Sequence, residues 1–206
     1  MEKKDLKPAG VFKYFEEICQ VPRPSKKEEK MIAYLKAFGA KHNLETKVDE
    51  AGNVLIKKPA TPGKENLQTV VLQSHIDMVC EKNNDVQHDF LTDPIETEID
   101  GEWLKAKGTT LGADNGIGVA TELAILADDS IEHGPLECLF TVDEETGLTG
   151  AFALQEGFMS GDILLNLDSE DEGEIFIGCA GGIDSVAELL IRKWKFLPDI
   201  SSSRWK

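Results

Sequence analysis

The stretch "TVVLQSHIDMV" (residues 69–79) joins an apolar strand pattern to a pair of polar side chains. Its start is apolar on both faces, which is typical of a central strand buried within a sheet. Side chains on a strand alternate between faces, so His75 and Asp77 should point to the same side. The stretch therefore predicts a buried strand that ends in an imidazole–carboxylate pair. Taken alone, such a pair is more often simply hydrogen-bonded than bound to a metal.

The residues before this strand carry two helix patterns separated by prolines. Residues 9–20 are amphipathic at helical spacing, and Pro22 and Pro24 end that helix. Ser25 and Glu28 have the spacing of a capping box, in which each side chain accepts a hydrogen bond from a free amide of the next helix. A second helix is therefore predicted directly after the prolines.

Hairpins, helices and further strands account for the rest of the pattern. Hairpins are predicted at residues 44–58, around Gly52-Asn53, and at residues 95–106, around Asp100-Gly101. The remaining segments are helices at 118–129 and 148–157 and strands at 134–147, 162–170 and 173–182. Strands that alternate with helices predict an α/β domain, with a mixed, largely parallel twisted sheet flanked by helices.

The charge of the chain excludes several classes of partner. The 206 residues include 38 acidic and 22 basic side chains, for a formal net charge of −16. Such a chain is repelled by phosphate backbones and anionic lipids, which argues against nucleic-acid and membrane partners. The start "MEKKDLKPAG" lacks the apolar stretch of a signal peptide, and no segment approaches the roughly 20 apolar residues that span a bilayer. We therefore expect a cytoplasmic protein.

The cysteines argue against two further classes. They lie far apart and form no C-x-x-C pair, which argues against a thiolate zinc site and against a disulfide-stapled secreted domain. We expect reduced thiols in apolar surroundings at Cys19, Cys80, Cys138 and Cys179.

Acidic side chains recur where the predicted strands end or a helix begins. Ligand sites in open α/β sheets form beyond the carboxyl ends of the strands, so these side chains should meet at one edge. The set comprises His75, Asp77, Asp114, Glu144, Glu145 and Asp168. Five carboxylates in one place repel one another unless cations or protons compensate their charge. One or two divalent metal ions are the simplest compensation, and a set of carboxylates and imidazole without thiolate suits catalytic zinc, cobalt or manganese.

Each of these side chains also has a structural explanation when taken singly. Asp114 could cap the helix that follows it, Glu144 and Glu145 could be solvated surface, and Asp168 could belong to a turn. Their common position at strand ends favours the metal site.

Four segments, given in chain order, resemble the co-catalytic di-zinc metallopeptidases, most closely the aminoacyl-histidine dipeptidase branch (Xaa-His dipeptidases, peptidase D). They are "SHIDMV" (74–79), "GADNGIGVA" (112–120), "TVDEETGLTGA" (141–151) and "NLDSEDEGEIFIGCAGG" (166–182). The likeness covers roughly residues 5–186. It implies a di-zinc aminopeptidase-like catalytic domain that hydrolyses short peptides, with aminoacyl-histidine dipeptides as expected substrates.

The resemblance also implies a role for each site residue. His75 and Asp168 would bind one zinc ion, Asp114 would bridge both ions, and Glu145 would bind the second. Asp77 would orient His75, and Glu144 would be the general base. The implied cofactor is two Zn²⁺, with Co²⁺ or Mn²⁺ as alternatives.

The family pattern extends beyond these segments. It has a further histidine ligand near the C-terminus, whereas no histidine follows His133 here. It also inserts a second domain after the "GCAGG" strand, which closes the substrate site and pairs subunits. We therefore expect residues 1–182 to be the N-terminal part of the catalytic domain, and residues 183–206 to be the start of a truncated second domain or an aberrant tail. A homodimer is expected for a full-length form.

Three functions remain open from the sequence. The first is a zinc-dependent dipeptidase. The second is a truncated, inactive metal-binding chain of the same lineage. The third is a metal-free hydrolase that uses paired carboxylates, as glycosidases do.

Overall fold

A computed structural model describes residues 3–169, 171, 173–178 and 181 of the chain. Its contacts divide the chain into two units, Met1–Glu170 and Asp171–Lys206. The strands, helices and candidate site described below all belong to the first unit. The predicted domain boundary at residue 182 lies outside the described residues and stays a prediction.

Helices α1 and α2 lie where the sequence places them, whereas α3 begins at Ala113, five residues before its predicted start, and α4 ends at Ala153, four residues before its predicted end. Helix α1 ends before Pro22 and Pro24, and its buried face consists of Tyr14, Phe15 and Ile18. In α2, Met31, Leu35 and Phe38 are buried and lie three or four residues apart, on one face of the helix, while Ile32 is partly buried. The helices are α1 (Ala9–Cys19), α2 (Glu29–Lys41), α3 (Ala113–Ala127) and the short α4 (Thr149–Ala153), preceded by a 3₁₀ turn at Lys3–Asp5.

The strands of the described residues form a five-stranded mixed sheet and a separate two-stranded hairpin. The sheet has the order β1-β2-β6-β3-β7, with antiparallel pairing at β1–β2 and β2–β6 and parallel pairing at β6–β3 and β3–β7. The strands are β1 (Glu45–Val48), β2 (Val54–Lys58), β3 (Val70–His75), β4 (Thr97–Asp100), β5 (Trp103–Ala106), β6 (Leu136–Thr141) and β7 (Ile163–Asn166). The α/β class and the mixed sheet flanked by helices are confirmed, and both predicted hairpins are present.

The register of the parallel strands places three strand ends side by side. His75 at the end of β3 lies opposite Thr141 at the end of β6, and Gln73 lies opposite Asn166 at the end of β7. The residues that follow each strand therefore leave the sheet at the same edge, as expected for ligand sites in such sheets.

The two faces of the sheet are covered differently. Helix α3 packs against α1 and β3, and α2 packs against β1 and β2, which together bury the main core. On the other face Leu55, Val71 and Leu139 form a smaller cluster with residues 154–159. Strand β7 is less covered than the other strands of the sheet. Its side chains Ile163, Leu164 and Leu165 are 40–49% exposed.

Two local predictions are wrong. Glu28 does not form a capping box with Ser25, because the Ser25 hydroxyl donates to Asp77 and Glu28 accepts from the amides of Lys26 and Asp143. The described part of the predicted strand at 173–182, residues 173–178, contains no strand. The other residues of the predicted strand, apart from Gly181, lie outside the described residues.

The described cysteines are free thiols, as expected. Cys19 and Cys138 are buried and Cys80 is partly buried, while Cys179 lies outside the described residues. No helix in the described part of the chain has both the length and the apolar character needed to cross a bilayer.

Gly150 in α4 fixes the loop that follows β6, and we expect Gly150→Ala to be destabilising. The Asn53 amide donates to the Gly150 carbonyl at 2.9 Å, and a Cβ on Gly150 would lie 2.5 Å from Asn53 Oδ1 and 2.7 Å from Val142 N. Because backbone and a buried amide surround this position, the substitution should lower the free energy of unfolding by about 1–3 kcal/mol. Urea unfolding followed by circular dichroism measures the change.

Gly10→Ala is the matched control for this prediction. A Cβ on Gly10 would meet Ala124 Cβ at 3.5 Å, an ordinary contact, and alanine favours the helix. We expect this variant to unfold at the same urea concentration as wild type or a higher one. Equal stability of the two variants would contradict the role assigned to Gly150.

Candidate metal centre

His75 lies at the end of β3 with its ring between two sets of carboxylates. The side chain is 1% exposed. Its Nδ1 lies 3.2 Å from Asp77 Oδ1, and its Nε2 lies 3.0 Å from Asp114 Oδ1 and 3.7 Å from Asp168 Oδ1. One ring nitrogen thus contacts a buried acceptor, while the other faces the carboxylates at the edge of the sheet.

Asp77 is a buried carboxylate whose two oxygens both accept hydrogen bonds. Besides the His75 ring, it accepts hydrogen bonds from Ser25 Oγ at 2.7 Å and from the amides of Glu144 at 3.0 Å and Glu145 at 3.3 Å. Burial raises the pKa of Asp77, but these hydrogen bonds outweigh it and hold the pKa at about 2. Asp77 is therefore ionised at neutral pH and favours a proton on His75 Nδ1, which leaves the Nε2 lone pair for a metal ion.

The acidic surroundings also act on His75 itself. Burial lowers the pKa of the imidazole, but the hydrogen bond to Asp77 and the negative charge of Asp168 raise it to about 9 overall. A metal ion at Nε2 would take the place of this second proton.

Asp114 enters the site from the start of α3. The residue before the helix, Gly112, has a φ of +68°, in the left-handed region that glycine adopts readily. Asp114 itself departs from helical geometry, with φ −82° and ψ 115°. Its neighbour Asn115 donates to Asp168 Oδ1 at 2.6 Å. The first turn of α3 therefore provides one carboxylate and holds a second.

Glu144 and Glu145 lie in the loop after β6. Their amides are bound by Asp77, and the side chain of Asp143 accepts hydrogen bonds from the hydroxyls of Thr146 and Thr149. Glu144 Oε2 lies 4.0 Å from His75 Nε2. The loop thus directs adjacent carboxylates toward the same imidazole.

The carboxylates influence one another's protonation. Burial and the charge of Asp114 raise the pKa of Glu145, although His75 opposes this rise. The same two causes outweigh the opposing charge of His75 and raise the pKa of Asp168 to about 6. Like charges are held close together here, which is the condition that a divalent cation relieves.

Two sets of these side chains lie close enough together to hold a metal ion, and both include His75. In one, ligand atoms of His75, Asp114 and Asp168 lie within 4.8 Å of one another, and in the other so do those of His75, Glu144 and Glu145. The six residues singled out in the sequence are thus together at one edge of the sheet, while their roles stay predictions. The donors are imidazole nitrogen and carboxylate oxygen, which suit a catalytic zinc, cobalt or manganese ion.

A cavity of about 310 Å³ borders this cluster. Asp114 and Asp168 line it together with the apolar side chains of Ala113, Ile117 and Leu167. A larger cavity of about 520 Å³ lies between α1 and α3 and includes none of the six residues. The cavity of about 310 Å³ is therefore the one that borders the candidate metal ligands.

Sequence reasoning missed the residues that support the site from behind. Asp77 is one of the predicted site residues, but the two carboxylates beside it, Glu28 and Asp143, are not. All three are buried, and their carboxylate oxygens lie within 4.8 Å of one another. Ser25 and Glu28 matched a capping pattern, which hid their contacts with Asp77 and the loop after β6. Arg23 stands between two prolines, and those prolines predict only the end of α1. The position of a charged residue between two prolines is only a weak indication of a buried structural role for Arg23.

Comparisons with known proteins identify the family of the chain. The sequence pattern of peptidase family M20/M25/M40 matches residues 71–195. The chain is 53% identical to the cytosol non-specific dipeptidase of Escherichia coli over 188 residues, which are 91% of this chain and 39% of that protein.

Solved structures extend the comparison to the fold. The aminoacylhistidine dipeptidase of Vibrio alginolyticus superposes with a TM-score of 0.84 at 56% identity, covering 87% of this chain and 36% of that one. The aminopeptidase PepT of Bacillus cereus superposes with a TM-score of 0.67 at 26% identity, covering 79% and 43%. This chain spans less than half the length of each of these relatives. The resemblance to the aminoacyl-histidine dipeptidases is confirmed, and the chain belongs to peptidase family M20/M25/M40.

Proposed function

We propose that this chain carries the metal site of a dipeptidase that hydrolyses short peptides, with aminoacyl-histidine dipeptides among its substrates. The observation that carries the proposal is the orientation of His75. Its Nδ1 is held by the buried Asp77, and its Nε2 faces Asp114 and Asp168. Metallopeptidase sites use this arrangement of carboxylate, histidine and metal ion.

The proposed cofactor is a pair of Zn²⁺ ions, with Co²⁺ or Mn²⁺ as substitutes. His75, Asp114 and Asp168 would hold one ion, and Asp114 and Glu145 would hold the other. Two ions in such a site lower the pKa of a water molecule and polarise the scissile carbonyl.

Glu144 is the proposed general base. It lies beside Glu145, 4.0 Å from His75 Nε2, and its own amide is fixed by Asp77. From this position its carboxylate takes the proton of the attacking water and passes it to the leaving amine. The two adjacent glutamates thus divide the work between proton transfer and metal binding.

The names of the relatives support the substrate class. The E. coli relative is a dipeptidase and the Vibrio structure is an aminoacylhistidine dipeptidase. These names favour the peptidase over the inactive metal-binding chain and the metal-free hydrolase. The E. coli protein is also named for the cytosol, which supports a cytoplasmic location. A homodimer of a full-length form stays a prediction.

Metal removal and reloading test the proposal. The purified chain, loaded with Zn²⁺, is assayed against a panel of dipeptides that includes alanyl-histidine and matched dipeptides without histidine. We expect cleavage that falls at least tenfold after dialysis against a chelator and returns with added Zn²⁺.

Other outcomes decide among the alternatives. Turnover that survives chelation would favour a carboxylate-only hydrolase. Bound Zn²⁺ without cleavage of any dipeptide would favour the inactive metal-binding chain. Absence of bound metal would overturn the proposed site itself.

A further inference from the structure

Arg23 is a buried cation whose guanidinium is bound to backbone. The residue is 3% exposed and lies between Pro22 and Pro24 in the loop that joins α1 to α2. No carboxylate within the described ranges forms an ion pair with it. Its Nη1 donates to the carbonyls of Ile76 at 3.1 Å and Asp77 at 3.0 Å, and its Nη2 donates to the carbonyl of Gly112 at 2.5 Å.

These carbonyls belong to two segments that carry proposed metal ligands. Ile76 and Asp77 directly follow His75, while Gly112 immediately precedes α3, two residues before Asp114. A guanidinium is planar and holds its donors at fixed angles, so it sets the separation of the groups that it joins. A lysine ammonium has no such fork.

The packing around the guanidinium is built to admit it. A Cβ on Gly112 would lie 2.5 Å from Arg23 Nη2, and a Cβ on Gly116 would lie 2.7 Å from the same atom. Gly112, just before α3, and Gly116, in its first turn, therefore leave room for Arg23. These short distances agree with the close approach of Arg23 to the start of α3 that the hydrogen bonds show.

We propose that Arg23 is a positioning residue for the metal centre, which holds the end of β3 and the start of α3 at the distance that brings His75 and Asp114 to a common divalent cation. This inference rests on the proposed function. Supporting groups of this kind change metal affinity by 10–100-fold when they are removed.

Whether metal affinity rises or falls when Arg23 is replaced distinguishes a positioning role from a purely electrostatic one. Arg23 is a cation close to Asp77 and Asp114, so as a charge alone it would repel a metal ion. Neutralising it would then tighten metal binding. If Arg23 is a positioning residue, its replacement weakens metal binding, even though a repulsive positive charge is removed.

The test compares Arg23→Gln and Arg23→Lys with a matched control, Lys58→Met. Lys58 is also a buried cation, but it donates to the carbonyls of Ile125 at 3.2 Å and Asp128 at 2.7 Å, at the other end of α3, and lies 3.6 Å from the exposed carboxylate of Asp129. Zn²⁺ dissociation constants are measured by competition with a chromophoric chelator, and the Co²⁺ absorption spectrum reports ligand geometry. Urea unfolding of each metal-free chain reports its stability.

We expect both Arg23 variants to bind Zn²⁺ at least tenfold more weakly than wild type and to change the Co²⁺ spectrum. Lys58→Met should lose stability yet bind Zn²⁺ within twofold of wild type. Arg23→Lys retains the charge and decides the matter where Arg23→Gln does not fold.

Three results would overturn the inference and leave the proposed function standing. Zn²⁺ affinity within twofold of wild type in folded Arg23 variants would leave Arg23 with a role in the fold only, and the proposed function would stand. Tighter binding in Arg23→Gln would make its role one of charge. An equal loss in Lys58→Met would make the effect a general consequence of destabilisation. A wild-type chain that binds no divalent metal would instead overturn the proposed function, and the inference with it.

Discussion

Replacing Glu144 with glutamine should lower kcat by about 10²–10⁴-fold while the metal content stays at the wild-type level. This range is the usual contribution of a positioned general base. Glutamine has nearly the same shape as glutamate but accepts no proton at neutral pH. The backbone amide of residue 144 keeps its hydrogen bond to Asp77, so the loop after β6 should hold its position. Dipeptide turnover together with metal analysis of the same sample measures both quantities.

The neighbouring glutamate is the control for this prediction. Glu145→Gln should lower the metal content, because Glu145 is a proposed ligand, and should lose turnover for that reason. Glu156→Gln replaces an exposed glutamate and should change neither. If Glu144→Gln turned over dipeptides within threefold of wild type, Glu144 would not be the base. If it lost metal in step with Glu145→Gln, it would be a ligand.

The second large effect is expected for Asp114→Asn. Asp114 Oδ1 lies 3.0 Å from His75 Nε2, and it is the proposed bridge between two ions. An amide oxygen carries no formal charge and cannot bridge two cations as a carboxylate does. We expect Zn²⁺ affinity to fall by about 100-fold or more, beyond the 10–100-fold range of supporting residues, and the stoichiometry to fall below two. Equilibrium dialysis with metal analysis gives both.

Asp128→Asn is the matched control for Asp114→Asn. Asp128 lies at the opposite end of α3, is exposed, and accepts hydrogen bonds from Ser130, which an asparagine oxygen can also accept. Its metal affinity should equal that of wild type. Unchanged metal content in Asp114→Asn would remove this residue from the proposed ligand set.

The sheet and the position of the acidic residues could be predicted because they follow from short-range patterns. The apolar run before His75 indicates a buried strand, and the alternation of strands with helices indicates which edge the acidic residues share. The β3 register, with His75 opposite Thr141, places the loops after β3 and β6 together as expected. Hydrophobic periodicity is clear in this chain, and it is sufficient to predict the strands of the sheet and the edge at which they end.

The support behind the site could not be predicted because it depends on contacts between distant segments. Ser25 and Glu28 have the spacing of a local cap, and the competing partners, Asp77 and the amide of Asp143, are 52 and 115 residues away. Ser25 and Glu28 form hydrogen bonds to a buried carboxylate and a buried backbone amide in preference to the amides at a solvent-exposed helix end. Leaving a buried polar group without a partner costs more free energy than leaving an exposed one to water. The same holds for Arg23, whose acceptors are 53 to 89 residues away along the chain.

Strand β7 has a consequence for how the chain behaves in concentrated solution. Within residues 3–169 no strand pairs with its outer side, and Ile163, Leu164 and Leu165 are 40–49% exposed. Open backbone edges with apolar side chains are templates for intermolecular strand addition, which natural proteins normally block with charges, proline or a covering element. Mutual repulsion between chains of net charge −16 opposes such association at low ionic strength. Salt screens that repulsion, so self-association through β7 should grow as salt is added.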